Sequence, residues 1–302
     1  MIIIVRINGG LGNQMFHYAM GLAISVLNKT DLLLDVSSLK STEKEETKRE
    51  FLLPYFNVDI KIAENKDFSR MKIPNTQKTN LFSRIRRWEV RFRESFRPLH
   101  ERKFIAEPYF NFCPDILKIK NDCYLSGAWQ SEKYFKDIES LVRENFTLKN
   151  SPTVKTEALI EKVSGCNSVS IHIRRKDYVN IQKTNHLHGI CSLEYYNQAV
   201  DLICKKVNNP IFFIFSDDID WAKANLKINC PLFYVSDKNT LDYEELVIMS
   251  NCKHNIIANS SFSWWGAWLN KNENKIVITP KEWFSVKNIN TDDLIPKDWL
   301  II

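Results

Sequence analysis

The second half of the chain alternates two patterns. Short strand-like runs lie at 168–173, 210–215, 232–235, 255–258 and 275–278, those after the first largely apolar, and between them lie stretches whose apolar positions recur at three and four residues. The first of these stretches opens at Ser192, an N-cap residue type, and carries Leu193, Tyr196, Val200, Ile203 and Val207 on one face. Shorter helices are expected over 219–226, from a Thr240 cap through 249, and over 264–269. Strands apolar on both faces and separated by helices predict a parallel sheet covered on both sides.

The first half is less regular. A strand over 2–7 runs into Gly9, Gly10, Leu11, Gly12, Asn13, Gln14, Met15 and Phe16, and a helical pattern continues to about 27. A dinucleotide fingerprint would need glycine where Met15 stands, and Asp35 alone is weak support for a ribose contact. The glycines still imply close backbone approach, and Asn13 and Gln14 at the helix start are placed to hydrogen-bond a polyol. Between 84 and 102, Ile85, Trp88, Phe92, Phe96 and Leu99 recur at helical spacing among seven arginines. That segment is either a helix packing its stripe on the core with a solvated basic face, or a patch that rests on anionic lipid.

At 302 residues the chain exceeds the usual single-core limit of about 250, so two domains are expected, at 1–150 and 151–302. With 44% hydrophobic and 26% charged residues it has material for packed cores. No apolar run reaches a signal-peptide h-region or the roughly 18 residues of a membrane span. Seven cysteines without a Cys-x-x-Cys pair indicate neither a disulfide framework nor a zinc knuckle, and fit a reducing cytoplasm. The formal charge of +6 comes with no nucleic-acid-binding motif, so nucleic acid is not an expected partner.

Ligands of parallel sheets bind beyond the carboxyl ends of the strands. Three polar clusters fall there: His172 with Arg174 and Arg175; Asp217 with Asp218; and Asn259, Ser260, Ser261 and Ser263. Arginine keeps its charge and donates two parallel hydrogen bonds from a planar fork, so adjacent arginines at a strand end suit a diphosphate. The alternative is a surface ion-pair cluster with Lys176 and Asp177. The serines would add neutral donors at a helix start. Asp217 or Asp218 is expected to accept the N–H pair of guanine, with a helix cap as the alternative for Asp217. Asp218 and Asp220 also match a metal-binding Asp-x-Asp pattern, yet two arginines already neutralise a diphosphate, so no metal is expected. Trp129, with Gln130 beside it, offers an aromatic face for a sugar, or a core side chain.

Five ordered motifs, Gly9 to Phe16, Trp129 to Phe135, His172 to Tyr178, Phe215 to Asp218 and Ile257 to Trp268, resemble those of bacterial alpha-1,2-fucosyltransferases of glycosyltransferase family 11. The resemblance implies a GT-B-like α/β fold, two Rossmann-like domains facing a cleft, with an acceptor-side N-terminal domain and a GDP-fucose-binding C-terminal domain. It implies GDP-L-fucose as donor, no metal, and inverting transfer to the 2-hydroxyl of a terminal β-galactose. Carried onto this chain, Arg174 grips the β-phosphate, with His172 and the Asp217–Asp218 pair on the guanosine side. Lys176 departs from the family's usual glycine, which bears on the path of the turn into Asp177. Asp177 and His186 are the candidate general bases, and Trp129, His186 and His188 the acceptor-side candidates with Asn13 and Gln14. A metal-dependent transferase and a non-catalytic sugar-nucleotide binder are the alternatives. A cytoplasmic protein in peripheral contact with the inner membrane face, acting on a lipid-linked O-antigen-type acceptor, completes the expectation.

Overall fold

The computed structural model describes residues 1–40, 49–71, 81–175, 189–237 and 239–302. The chain forms two compact units, Met1–Lys149 with Asp292–Leu294, and Asn150–Thr291 with Ile295–Ile302. No hydrophobic pattern announces the return of 292–294 to the first unit. Asp293 secures it there, accepting hydrogen bonds from Phe112 N at 3.0 Å and, through its carbonyl, from Ser131 Oγ at 2.6 Å.

In the first unit β1 (Ile2–Arg6), β2 (Asp31–Asp35), β3 (Phe104–Ala106) and β4 (Cys123–Ser126) form a parallel sheet in the order β2-β1-β4-β3. Helix α1 (Leu11–Asn28) crosses between β1 and β2 and stops at Lys29, whose left-handed backbone lets its N–H reach the Ser25 and Val26 carbonyls. Gly21 lets α1 approach closely, since a Cβ there would lie 2.7 Å from Leu32 and 3.1 Å from Val5. Helices α2 (Asn65–Met71) and α3 (Leu81–Ser95) come between β2 and β3.

Of the two readings of the 84–102 stripe, inward packing on the core is overturned. Ile85, Trp88, Phe92 and Phe96 are exposed, whereas Val90 packs on the core and Glu94 is buried.

The second unit alternates helices and strands until its last two strands, which follow one another with no helix between them. After α4 (Glu139–Asn145) closes the first unit, α5 (Val154–Ser164) leads into β5 (Ser168–Ile173), α6 (Leu193–Lys206), β6 (Ile211–Ser216), α7 (Ile219–Asn225), β7 (Leu232–Tyr234), α8 (Asp242–Asn251), β8 (His254–Ile256), α9 (Ser261–Leu269), β9 (Val277–Thr279) and β10 (Leu300–Ile301). All six strands are parallel, in the order β10-β9-β8-β5-β6-β7. This is the doubly wound order of a dinucleotide-binding domain, and its direction reverses between β5 and β8. Ser192 caps α6 as its position predicts, its side chain accepting from Tyr195 N. Thr240 does not cap α8; its hydroxyl donates to Asp237 at 2.8 Å and the helix starts at Asp242. No helix among the described residues is long and apolar enough to cross a membrane.

Glu244 fastens α5 to α8. Its buried carboxylate accepts from Thr153 N and Thr153 Oγ1, each at 2.8 Å, and from Thr156 Oγ1 at 2.6 Å. Burial acts to raise its pKa, but the bonds from the two threonines outweigh that and hold it below the ordinary carboxylate value. Glu244→Ala is therefore expected to cost about 2–4 kcal/mol in urea unfolding at pH 7, as charge-assisted bonds are lost and only partly replaced by water.

Candidate functional site

In the second unit, the crevice of an open parallel sheet lies at the carboxyl edge where strand order reverses, here between β5 and β8. Arg174 and Arg175 directly follow β5, and α9 begins five residues after β8. Asp217, at the end of β6, reaches across to the arginines. Its Oδ1 accepts from Arg175 N at 2.8 Å, and Oδ2 lies 3.3 Å from Arg174 Nε. Asp218 caps α7, accepting from Trp221 N at 3.3 Å, and faces Arg175 Nε at 3.7 Å. The Arg175 guanidinium also rests on the Trp221 ring, 4.5 Å from its centroid. Ser236 and Ser216 stiffen the base of this arrangement. Ser236 Oγ accepts from Ser216 N and Ser216 Oγ from Asp218 N, each at 2.9 Å.

These contacts revise two sequence readings. The helix cap is Asp218 rather than Asp217. Both carboxylates orient arginines, so neither stands apart as a dedicated reader of guanine. The Asp-x-Asp metal pattern likewise has Asp218 committed to Trp221 and Arg175.

His172 lies inside β5, its ring 5.5 Å from that of Phe262 on α9, and its carbonyl accepts from Tyr196 OH at 3.2 Å. Burial, with a smaller push from Arg174, lowers its pKa to about 3, and Nδ1 is buried without a partner. It therefore borders the switch point as a neutral imidazole.

The serine cluster divides. Ser260 occupies the N-cap position of α9 and Ser261 its first turn, both at the crevice edge. Ser263 and Asn259 do not fit a donor-binding role. Ser263 Oγ donates to the Ala258 and Ser260 carbonyls at 3.4 and 3.3 Å. Asn259 is buried, its amide donating to the Trp283 and Gly189 carbonyls and accepting from Cys191 Sγ. Asp177, His186 and His188 lie outside the described residues.

In the first unit β1 and β4 are parallel neighbours, so the glycine loop and the 127–130 turn leave the same edge of the sheet. Asn13 Oδ1 accepts from Gln130 Nε2 at 2.9 Å across that edge. Gln14 is not an acceptor ligand. Its amide donates to the Gly9 and Glu50 carbonyls at 3.0 and 2.7 Å and accepts from Leu52 N at 3.0 Å, a brace for the loop. Trp129 offers no stacking face either: it is 0% exposed and packs edge-on to Tyr134 at 5.7 Å.

Sequence reasoning missed Glu107. Its carboxyl oxygens accept from Ala128 N at 2.6 Å and Trp129 N at 3.0 Å, holding a turn in which Trp129 adopts φ 54°. A Cβ on Gly127 would meet that of Glu107 at 2.4 Å, which is why glycine stands there. Burial pushes the Glu107 carboxyl up to about 7. The only available signal was its place just past an apolar triplet, at the end of what proves to be β3.

The neutral state of His172 has a stability consequence. Its folded pKa lies below the unfolded value of 6.5, so the unfolded chain binds more protons between about pH 6.5 and 3, and stability falls as pH falls through that window. Replacing it by an apolar residue, His172→Phe, is expected to flatten the wild-type loss of unfolding free energy between pH 7 and pH 4, measured by urea titration at each pH.

The sequence matches the profile of Glycosyl transferase family 11 over residues 2–302. It is 35% identical to an Escherichia coli alpha-1,2-colitosyltransferase over 309 residues, covering 100% of this chain and 99% of that protein. It is 32% identical to the E. coli O-antigen biosynthesis glycosyltransferase WbnK, covering 93% of this chain and 95% of that protein. Among solved structures, the NodZ alpha-1,6-fucosyltransferase soaked with GDP-fucose superposes with a TM-score of 0.50 at 13% identity, over 89% of this chain and 92% of that one, a likeness of GT-B-like fold. The chain belongs to glycosyltransferase family 11.

Proposed function

We propose that this protein transfers L-fucose from GDP-L-fucose, with inversion, to the 2-hydroxyl of a terminal β-galactose during assembly of an O-antigen or related surface polysaccharide. The observation that carries the reading is the Arg174–Arg175 pair at the switch point of a doubly wound sheet, turned by Asp217. As the glycosidic bond breaks, negative charge develops on the departing diphosphate. Fixed guanidinium groups act most strongly where such charge develops. In this reading the arginines do the work a divalent metal does in other transferases, and turnover proceeds in EDTA. The N-H groups at the start of α9, with Ser260 and Ser261, supply further donors to the phosphates. The first unit takes the acceptor, with Asn13 and Gln130 at its crevice edge. The acceptor is lipid-linked, and the protein works in the cytoplasm at the inner membrane face.

A second donor is favoured by a specific comparison: the full-length likeness to a colitosyltransferase. Colitose is the 3-deoxy counterpart of fucose, so one site can discriminate the two only through contacts to that hydroxyl. Incubation with a β-galactoside and either GDP-fucose or GDP-colitose, with and without EDTA, decides the matter. Faster transfer from GDP-fucose in EDTA supports the first reading, preference for GDP-colitose replaces it with the second, and loss of turnover in EDTA contradicts the arginine mechanism.

The arginine role has its own test. Arg174→Lys keeps the charge but loses the planar fork, and is expected to lower kcat by at least about a hundredfold, the scale of a lost transition-state donor. Near-normal kcat in that variant would remove the phosphate role from Arg174.

A further inference from the structure

Helix α3 is amphipathic with its apolar row on the outside. Trp88 is 66% exposed, Phe92 52% and Phe96 77%, and Ile85 is exposed beside them. The rings form one continuous row: Trp88 stacks on Phe92 with centroids 5.5 Å apart and 12° between planes, and Phe92 meets Phe96 edge-on at 5.2 Å.

The opposite side of the helix holds it to the protein. Val90 packs against the cluster of Ile2, Ile4, Phe68, Phe104 and Tyr124. Glu94 is buried and its carboxylate accepts from Lys103 N. At about 100° per residue, positions 90 and 94 fall roughly across the helix from 85, 88, 92 and 96. The row is therefore turned away from the core by the helix's own anchoring.

Charge identifies what covers it. Over Leu81–Ser95 five arginines stand against two glutamates, and one of those glutamates, Glu94, is directed inward. Arg93 is exposed beside the row. A row of exposed aromatic residues on a segment of net positive charge matches a helix lying in the plane of an anionic bilayer, its apolar side sunk about 5–10 Å into the headgroup boundary. A second copy of the chain fits poorly, because a self-complementary contact would bring two segments of net positive charge together.

We propose that the outward face of α3, centred on Trp88, Phe92 and Phe96, docks the protein on anionic phospholipid. The inference rests on the membrane placement proposed above and is independent of which sugar is transferred. Because the attraction combines exposed charge with a shallow apolar row, it weakens in salt, where the Debye length shortens from about 10 Å at 0.1 M to about 3 Å at 1 M.

Co-sedimentation with vesicles of phosphatidylglycerol and phosphatidylcholine, or of phosphatidylcholine alone, tests this without any need for turnover. Wild-type protein is expected to partition onto the anionic vesicles, at least about tenfold more weakly in 0.5 M salt, and negligibly onto the neutral ones. The triple variant Trp88→Ser, Phe92→Ser, Phe96→Ser should lose at least about tenfold in partitioning, and Arg93→Glu should weaken it as well, each with unchanged thermal unfolding because the altered side chains are exposed. Transfer to a soluble acceptor should be the same in all of them; its failure in every protein would count against the transferase reading and leave the docking result standing. Equal binding by the triple variant, no binding to anionic vesicles at low salt, or a concentration-dependent dimer that the triple variant disperses would overturn the proposal.

Discussion

The reach of Asp217 across the ends of β5 and β6 is the contact on which the candidate site depends. Two adjacent guanidinium groups repel each other, and a strand end alone does not fix where long side chains go. A single carboxylate that accepts the Arg175 backbone N–H and pairs with Arg174 Nε fixes the backbone at Arg175 and the direction of the Arg174 side chain. Asp218 and the Trp221 ring then hold the Arg175 head. These contacts exist because β5 and β6 are parallel neighbours in register, with His172 opposite Phe215 and Ile173 opposite Ser216. The buried strands that build the sheet are thus also what aligns the polar ends.

The two units show the same logic with different materials. At the carboxyl edge of each sheet a carboxylate fixes a turn: Asp217 the one at Arg174 and Arg175, Glu107 the 127–130 segment. Asp217 pairs with the Arg174 guanidinium, whereas Glu107, among the described residues, accepts from the backbone N–H groups of Ala128 and Trp129, and burial pushes its carboxyl up to about 7.

The second unit was legible in sequence because its strands are buried on both faces, which leaves β6 almost wholly apolar, although β5 buries Ser168, Ser170 and His172 along with its valine and isoleucines. Strand β10, with two residues, was too short to leave a pattern. The positions of the arginines, the aspartates and α9 at one sheet edge followed from strand alternation. Which polar side chains face the crevice did not. Gln14, Asn259 and Ser263 share residue types with ligand-binding groups, but each satisfies buried backbone instead, and that choice is set by packing from residues far away in sequence. The outward turn of α3 was hidden for a similar reason. Periodicity gives a helix an apolar face, while only the contacts of Val90 and Glu94 say which way that face points.

The central claim is that the clasped arginines form a diphosphate site, and calorimetric titration of GDP and guanosine into the wild type and Asp217→Asn tests it most directly. Charge-assisted hydrogen bonds contribute about 1.5–3 kcal/mol each, so GDP is expected to bind the wild type at least about a hundredfold more tightly than guanosine. Asp217→Asn should weaken GDP by about tenfold or more and leave guanosine unchanged. Equal affinities for GDP and guanosine in the wild type, or an equal loss for both ligands in the variant, would contradict it.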